Sequence, residues 1–389
     1  MPVNKYDAIV VGAGPAGLMF SRVLSSKGYD VLVLEKHGYL GVKPCGEGIS
    51  LKTLETAIIS QKEASIFISR EIKRAHVYAP DGTRITIEEK GRGYVLDKRK
   101  FLKVMAEKAL DAGAILLPMT PAKEFIRIDE KFKVIAKGQE YETRLLIGAD
   151  GYLSTVARKL GLESVGKREI IPTAQFLMSH VELYDHEGTE FYLGNNVAPR
   201  GYAWVFPKED NMANVGIGVR GASPISYLRK FIREHPKLFS KAKPIEFGAA
   251  AVTIGGMLKK IVDDNLMLIG EAAGQVIPLT GGGIHSSIAG GAIAAEVASQ
   301  ALEEDDLRSS KLKAYVNEYS SYWGKRIRDS KRALSVIEKL SDKELNELAK
   351  ILDSKDILDL ANGEDLMRVA TKLMKHPVFS VKIATKLMS

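Results

Sequence analysis

Cysteine is almost missing from this sequence: Cys45 stands alone among 389 residues. A single cysteine excludes an intrachain disulfide, a multi-cysteine zinc site and a cysteine-ligated iron–sulfur cluster. A disulfide-built extracellular module is therefore excluded, a reducing cytoplasmic setting is expected, and no metal centre is read from the chain. No signal peptide is visible, since 6–11 already reads as a strand. No run reads as a membrane span either. The longest stretch without Asp, Glu, Lys or Arg, 272–295, holds Pro278, Gly281, Gly282, Gly283, His285 and several hydroxyls, and reads as loop plus helix.

What is present is an ordinary globular balance, with 45% hydrophobic and 27% charged residues. Wholesale disorder and fibrous repeats are not expected, and the length suggests two or three domains. Lys and Arg number 56 against 48 Asp and Glu. Most of the excess lies from Arg308 onward, with 17 basic and 11 acidic residues. Residues 366–389 carry five Lys or Arg and no acid. Met367, Ala370, Leu373 and Met374 fall there near helical spacing. The favoured reading is a helical cap with solvated lysines, and the other is an amphipathic surface meeting anionic lipid. Nucleic acid is not expected, because no recognised module and no basic–aromatic interleaving occurs. Val369-Ala-Thr-Lys-Leu-Met recurs from Ile383 with Pro377 between, which reads as two short helices.

Along the chain, 7–11 is a continuous apolar run suited to a strand buried on both faces. A glycine-rich turn follows, then a helix stopped by Gly28, then a second apolar strand at 30–34, completing a βαβ unit. Segments 75–79 and 84–87 flank Pro80-Asp81-Gly82-Thr83 as a hairpin. Residues 97–112 read as a helix capped by Asp97 and ended by Gly113. Further strands are expected at 114–117, 124–128, 131–136 and 145–147. Four aromatic-rich antiparallel strands follow at 173–181, 189–193, 202–206 and 213–219, then a short one at 266–269. From about 307 the pattern is helical.

Gly12-Ala13-Gly14-Pro15-Ala16-Gly17 is G-x-G-x-x-G between a strand and a helix. Gly12 permits the tight turn, Gly14 lets backbone approach a pyrophosphate, and Gly17 lets helix and strand pack closely. Glu35, ending the second strand, is placed for a ribose hydroxyl and would repel a 2′-phosphate. No second such turn appears for a nicotinamide.

Ile147-Gly148-Ala149-Asp150-Gly151 and Leu268-Ile269-Gly270-Glu271-Ala272-Ala273-Gly274 each follow an apolar strand. With the first turn they resemble the signatures of the para-hydroxybenzoate-hydroxylase class of FAD proteins. The resemblance implies that Asp150, Glu271 and Arg99 meet the cofactor, although Glu271 stands where the class usually has Asp. Three more blocks narrow the likeness: Lys43-Pro44-Cys45-Gly46-Glu47-Gly48-Ile49, Gly201-Tyr202-Ala203-Trp204-Val205-Phe206-Pro207-Lys208, and Pro278-Leu279-Thr280-Gly281-Gly282-Gly283-Ile284. In this order they resemble the geranylgeranyl reductase family, particularly the archaeal enzymes that saturate isoprenoid chains of membrane lipids.

That resemblance implies an α/β chain with a Rossmann-type FAD-binding domain, an antiparallel-sheet substrate domain and a helical C-terminal tail. The expected division is 1–72, 92–170 and 261–306 for FAD, 73–91 and 171–260 for substrate, and 307–389 for the tail. FAD would be held by Gly12, Gly14, Pro15, Ala16, Gly17, Glu35, Lys36, Cys45, Gly46, Arg99, Asp150, Gly270, Glu271 and Gly281 to Ile284. Cys45, Tyr202 and Trp204 would serve the reaction, and Gly48, Tyr202, Trp204, Phe206 and Pro278 would border the substrate. Thr280 to Gly283 is expected to open a helix whose N–H groups favour reduced flavin. His285 is expected one turn into it, more as a packing residue than as a proton donor. The substrate would be a geranylgeranyl lipid or diphosphate, and the electrons would come from an external donor such as ferredoxin or another reductase. The setting would be cytoplasmic, peripheral to the membrane surface. Competing readings are a flavin monooxygenase or halogenase of the same fold, kept open by the aromatic block, and an electron-transfer flavoprotein.

Overall fold

The computed structural model describes residues 4–376. Two eight-stranded sheets organise it. The first is the dinucleotide-type body. Its strands Ile115–Leu117, Val31–Leu34, Asn4–Val11, Gln139–Gly148 and Leu266–Leu268 lie side by side in that order, all parallel. Val262–Asp263 adds an antiparallel edge, and a meander of Ala122–Ile128 and Lys131–Ala136 folds onto Gln139–Gly148. The apolar runs are buried as unbroken stretches because helices cover the sheet. Ile9, Leu32, Leu146 and Met267 are fully buried, each a gain of about 2 kcal/mol over exposure.

The helix Lys98–Asp111 starts where the sequence indicates. The Asp97 side chain accepts from the Lys100 N–H at 3.1 Å, a cap worth about 1 kcal/mol. Gly113 ends the turn at φ +102°. The helices Pro15–Ser25 and Ile284–Glu303 touch almost backbone to backbone: a Cβ on Gly291 would lie 2.3 Å from the Ala16 carbonyl oxygen.

The second sheet runs Lys243–Thr253, Ile170–Ser179, Ala213–Gly218, Tyr202–Pro207, Gly188–Leu193, Ile68–Tyr78, Arg84–Leu96, Gly48–Ser50. It is antiparallel except where Gly188–Leu193 pairs parallel with Ile68–Tyr78. Three features differ from the sequence reading. The hairpin is longer than 75–79 and 84–87, because ladder pairing carries it through charged residues that break the apolar alternation. The strand Lys243–Thr253 went unseen: Pro244, Gly248 and three consecutive alanines give it little intrinsic strand preference, and its pairing with Ile170–Ser179 supplies what propensity lacks. Gly48–Ser50, for which the sequence predicts no strand, forms the sheet's edge.

One face of this sheet packs on Leu228 and Phe231 of the helix Pro224–Glu234. The other faces the C-terminal helices Lys325–Ile337, Asp342–Ile351 and Ser354–Asn362. The last described helix, Leu366–Met374, is tied down by charge. Arg368 reaches Asp356 at 2.9 Å and Asp359 at 2.7 Å, and Lys372 reaches Asp353 and Asp356 at 2.6 Å. Those two cations hold the cap in place instead of standing solvated. Pro377 and the repeat from Ile383 lie outside the described residues. Among the described residues no helix is long and apolar enough to cross a membrane.

Candidate functional site

The glycine turn joins Asn4–Val11 to Pro15–Ser25. Gly12 has φ +107°, and a Cβ there would lie 2.5 Å from the Ala149 carbonyl oxygen. A Cβ on Gly17 would lie 2.2 Å from the Gly12 carbonyl oxygen, so any larger residue pushes the helix off the strand. At Gly14 nothing lies within 4 Å of that position: the backbone faces open space, as a pyrophosphate at a helix N-terminus requires. Pro15 opens the helix and Ala16 is buried against Gly270 and Gly291. Glu35 is buried, and its carboxylate accepts from the Ala13 N–H at 2.9 Å and the His37 N–H at 2.8 Å. It thus fixes the turn as well as standing beside it. Lys36 is exposed.

Asp150 follows the strand Gln139–Gly148. Its Oδ2 accepts from Thr155 N–H at 2.6 Å and Val156 N–H at 3.2 Å, while Oδ1 is buried with no partner. A buried carboxylate oxygen without a donor is costly, and a cofactor hydroxyl is the kind of group that satisfies it. Glu271 sits in the short turn Gly270–Ala273 and pairs with Lys43 at 2.6 Å. The Lys43 ammonium also lies 5.2 Å from the Tyr152 ring centroid. Lys43 therefore joins two signature segments 228 residues apart in sequence. Arg99 is exposed, beside Glu246 at 3.4 Å and over the Tyr39 ring.

The segment from Pro278 curls into a helix. Gly281 has φ +66°, Gly283 is the N-cap, and the helix begins at Ile284. His285 is thus in the first turn itself, one turn earlier than the sequence reading placed it. Its Nε2 is 2.9 Å from Thr56 Oγ1, its ring packs edge-on against Trp323, and burial pushes its pKa down to about 4. It stays neutral at physiological pH and packs. Pro278 is buried, and Leu279 and Thr280 are the neighbours that reach the cavity described below.

Tyr202, Trp204 and Phe206 alternate on one face of their strand. The 43–48 loop covers Trp204 and Phe206: Cβ positions on Gly46 and Gly48 would lie 3.0 and 3.2 Å from the Phe206 ring. Tyr202 donates its hydroxyl hydrogen to the Thr280 carbonyl oxygen. Burial, with the nearby Cys45, raises its phenol above the ordinary value. Cys45 Sγ accepts from the Glu47 N–H at 3.3 Å. Glu47, in the left-handed region at φ +68°, pairs with Lys208 at 2.6 Å. The loop is held further by Lys98 Nζ donating to the Lys43 carbonyl at 2.7 Å, and by Asn214 Nδ2 donating to the Cys45 carbonyl at 2.8 Å. Lys98 and Asn214 were not anticipated. Nothing in the local sequence marks them, since each acts on a residue far away in the chain.

Beside Tyr202 lies a cavity of about 380 Å³. Its floor is Ile72, Val77, Ile85, Ile87, Phe191 and Tyr202, and its roof is Leu334, Ile337, Leu345, Leu348, Leu352 and Ile357. Tyr202, Leu279 and Thr280 also line it, with the Tyr202 hydroxyl bonded to the Thr280 carbonyl oxygen. Such a space suits a long apolar ligand. The roof comes wholly from the C-terminal helices, which the sequence alone did not connect to the site.

A family model described as the geranylgeranyl reductase catalytic domain matches residues 169–252, and one described as an NAD(P)-binding Rossmann-like domain matches 10–43. The chain is 37% identical to digeranylgeranylglycerophospholipid reductase 2 of Methanopyrus kandleri, over 99% of this chain and 100% of that protein. It is 36% identical to the digeranylgeranylglycerophospholipid reductase of Methanocaldococcus jannaschii, over 95% and 96%. Among solved structures, a geranylgeranyl bacteriochlorophyll reductase-like protein from Thermoplasma acidophilum superposes with a TM-score of 0.89 at 30% identity, covering 99% of this chain and 100% of that one.

Proposed function

The chain belongs to the digeranylgeranylglycerophospholipid reductase family, and from that premise we propose that it saturates isolated double bonds of geranylgeranyl chains in archaeal-type lipid precursors, using FAD. It is a flavin-dependent oxidoreductase acting on carbon–carbon double bonds. The observation that carries this reading is the apolar cavity lined in part by Tyr202, Leu279 and Thr280, the last two lying just before the glycine-rich start of Ile284–Glu303.

The residues fit FAD. Gly12, Gly14 and Gly17 suit the pyrophosphate, Glu35 a ribose, and the unpartnered Asp150 Oδ1 a hydroxyl donor. When bound, reduced FAD supplies the hydride. An isolated alkene is not polarised, so hydride addition must accompany proton delivery, with positive charge growing at the tertiary carbon. The faces of Tyr202 and Phe191 line the cavity and suit that charge. The raised pKa of Tyr202 keeps its proton on the phenol oxygen, bonded to Thr280. We assign a reaction role to Cys45, whose Sγ accepts from the Glu47 N–H at 3.3 Å on the loop that covers Trp204 and Phe206. The apolar roof excludes water.

An external donor, a ferredoxin or another reductase, is proposed for the electrons, since the sequence holds no second dinucleotide turn. Peripheral contact with a membrane is proposed at the C-terminal helices, where Met367 and Met374 stand exposed. The test is an anaerobic single turnover: the reduced protein receives a geranylgeranyl lipid, and flavin reoxidation is followed with mass analysis of the lipid. Reoxidation with a gain of two hydrogens is expected. Flavin that reoxidises only with oxygen, giving an oxygenated product, overturns the reading in favour of a monooxygenase.

A further inference from the structure

Asn214 is a polar residue in a strand of small and apolar ones. Ala213–Gly218 is buried throughout, and Asn214 is 3% exposed. A buried carboxamide is destabilising unless its donor and acceptor are both used. Here both are. Oδ1 accepts from the Trp204 indole N–H at 3.2 Å, and Nδ2 donates to the Cys45 carbonyl at 2.8 Å. The orientation is not ambiguous. An indole nitrogen only donates, so Oδ1 must face it, and the amide's remaining donor is directed at Cys45. The indole itself is fixed from below, because it lies over Gly216, where a Cβ would fall 2.1 Å from the ring. Position is thus passed from sheet to indole to carboxamide to loop.

We propose that Asn214 is a positioning residue for the reduction: by bridging Trp204 and Cys45 it holds the 43–48 loop over the aromatic sheet and sets where the Cys45 thiol stands. The inference rests on the reading of Cys45 and Tyr202 as reaction groups. The Glu47–Lys208 pair is a second, independent anchor two residues further on, with Lys208 Nζ also donating to the Leu96 carbonyl at 3.2 Å. Losing Asn214 therefore misplaces the Cys45 peptide without freeing the whole loop.

The decisive variant is Asn214→Asp. It keeps shape and the acceptor for Trp204 but sets a carboxylate against the Cys45 carbonyl. Two measurements on the flavin-loaded protein are needed: the rate at which a neutral alkylating reagent modifies Cys45 across pH, and single-turnover reduction of a geranylgeranyl lipid. Alkylation is expected to quicken about five-fold or more. The turnover rate is expected to fall about 10- to 100-fold, the scale of a misplacement near 1 Å, with flavin content and half-saturating lipid within about three-fold. Should Asn214→Asp not fold, Asn214→Ser, whose side chain is too short to bridge Trp204 and the Cys45 carbonyl, is measured the same way and is expected to shift alkylation and turnover in the same directions. Alkylation and turnover both unchanged within two-fold overturn the proposal. So does a turnover loss that follows flavin loss alone. Because alkylation needs no lipid, a wild-type protein inactive on lipid sinks the proposed function while leaving the Asn214 comparison readable.

Discussion

Two glycine-bearing segments frame the site, and they are held by different means. The Gly12 to Gly17 turn is fixed by backbone: Cβ positions at Gly12 and Gly17 are blocked by carbonyl oxygens, and the chief side chain that helps is Glu35. The 43–48 loop is fixed by side chains from elsewhere, namely Glu271, Lys98, Lys208 and Asn214. The first suits the phosphate proposed for it, a group whose shape does not vary. The second can be adjusted one tether at a time, which suits the proposed role of Cys45.

The sharpest break of this contrast is Gly17→Val. The helix must leave the strand, so stability should fall by about 3 kcal/mol or more. Flavin absorbance per protein should vanish, as read from the purified protein and urea unfolding. On the loop, Lys208→Met leaves the Glu47 carboxylate with only the Lys98 N–H at 3.2 Å. A loss of about 3 kcal/mol of unfolding free energy is expected, read from urea unfolding, with flavin retained and much of the loss recovered by adding Glu47→Leu. If both variants lose flavin equally, the two segments are not distinct.

Acid acts on neither segment but on the helix Ile284–Glu303. The His285 pKa lies at about 4 in the folded chain against 6.5 unfolded. The unfolded state alone takes up the proton between those values, so stability is full above pH 6.5 and falls as pH drops toward 4. The loss should be about 2 kcal/mol after allowance for partial exposure. A pH series of urea unfolding on the wild type and His285→Gln checks this, and the variant should show a flatter profile. The smallest effect is expected from the cavity roof. Leu348→Trp fills space without touching either segment, so half-saturating lipid should rise about tenfold, roughly 1.4 kcal/mol, with flavin content and Cys45 alkylation unchanged.

Legibility follows the same division. Gly12, Gly14, Gly17, Glu35 and the Asp97 cap were readable because each acts through its own or neighbouring backbone, at fixed spacing. Cys45, Tyr202 and Trp204 were readable as candidates only through resemblance. Two of the partners that hold them, Asn214 and Lys98, were not, since an asparagine in a strand or a lysine after one carries no local mark; Lys208 lay within a resembling block, but its pairing with Glu47 was not legible. His285 was misplaced by a turn because three consecutive glycines blur where a helix starts. The strand Lys243–Thr253 was missed because pairing, not propensity, creates it.

The dinucleotide-type body and its glycine turn are legible in the chain, because apolar runs and glycine spacing are local consequences of backbone geometry; the family was legible only as a resemblance of three short blocks. The tertiary structure alone decided that the 43–48 loop is tethered from four distant positions and that the C-terminal helices roof the cavity. Those facts depend on which surfaces meet once both sheets are packed, and one-dimensional patterning does not specify contacts between residues 55 to 228 positions apart.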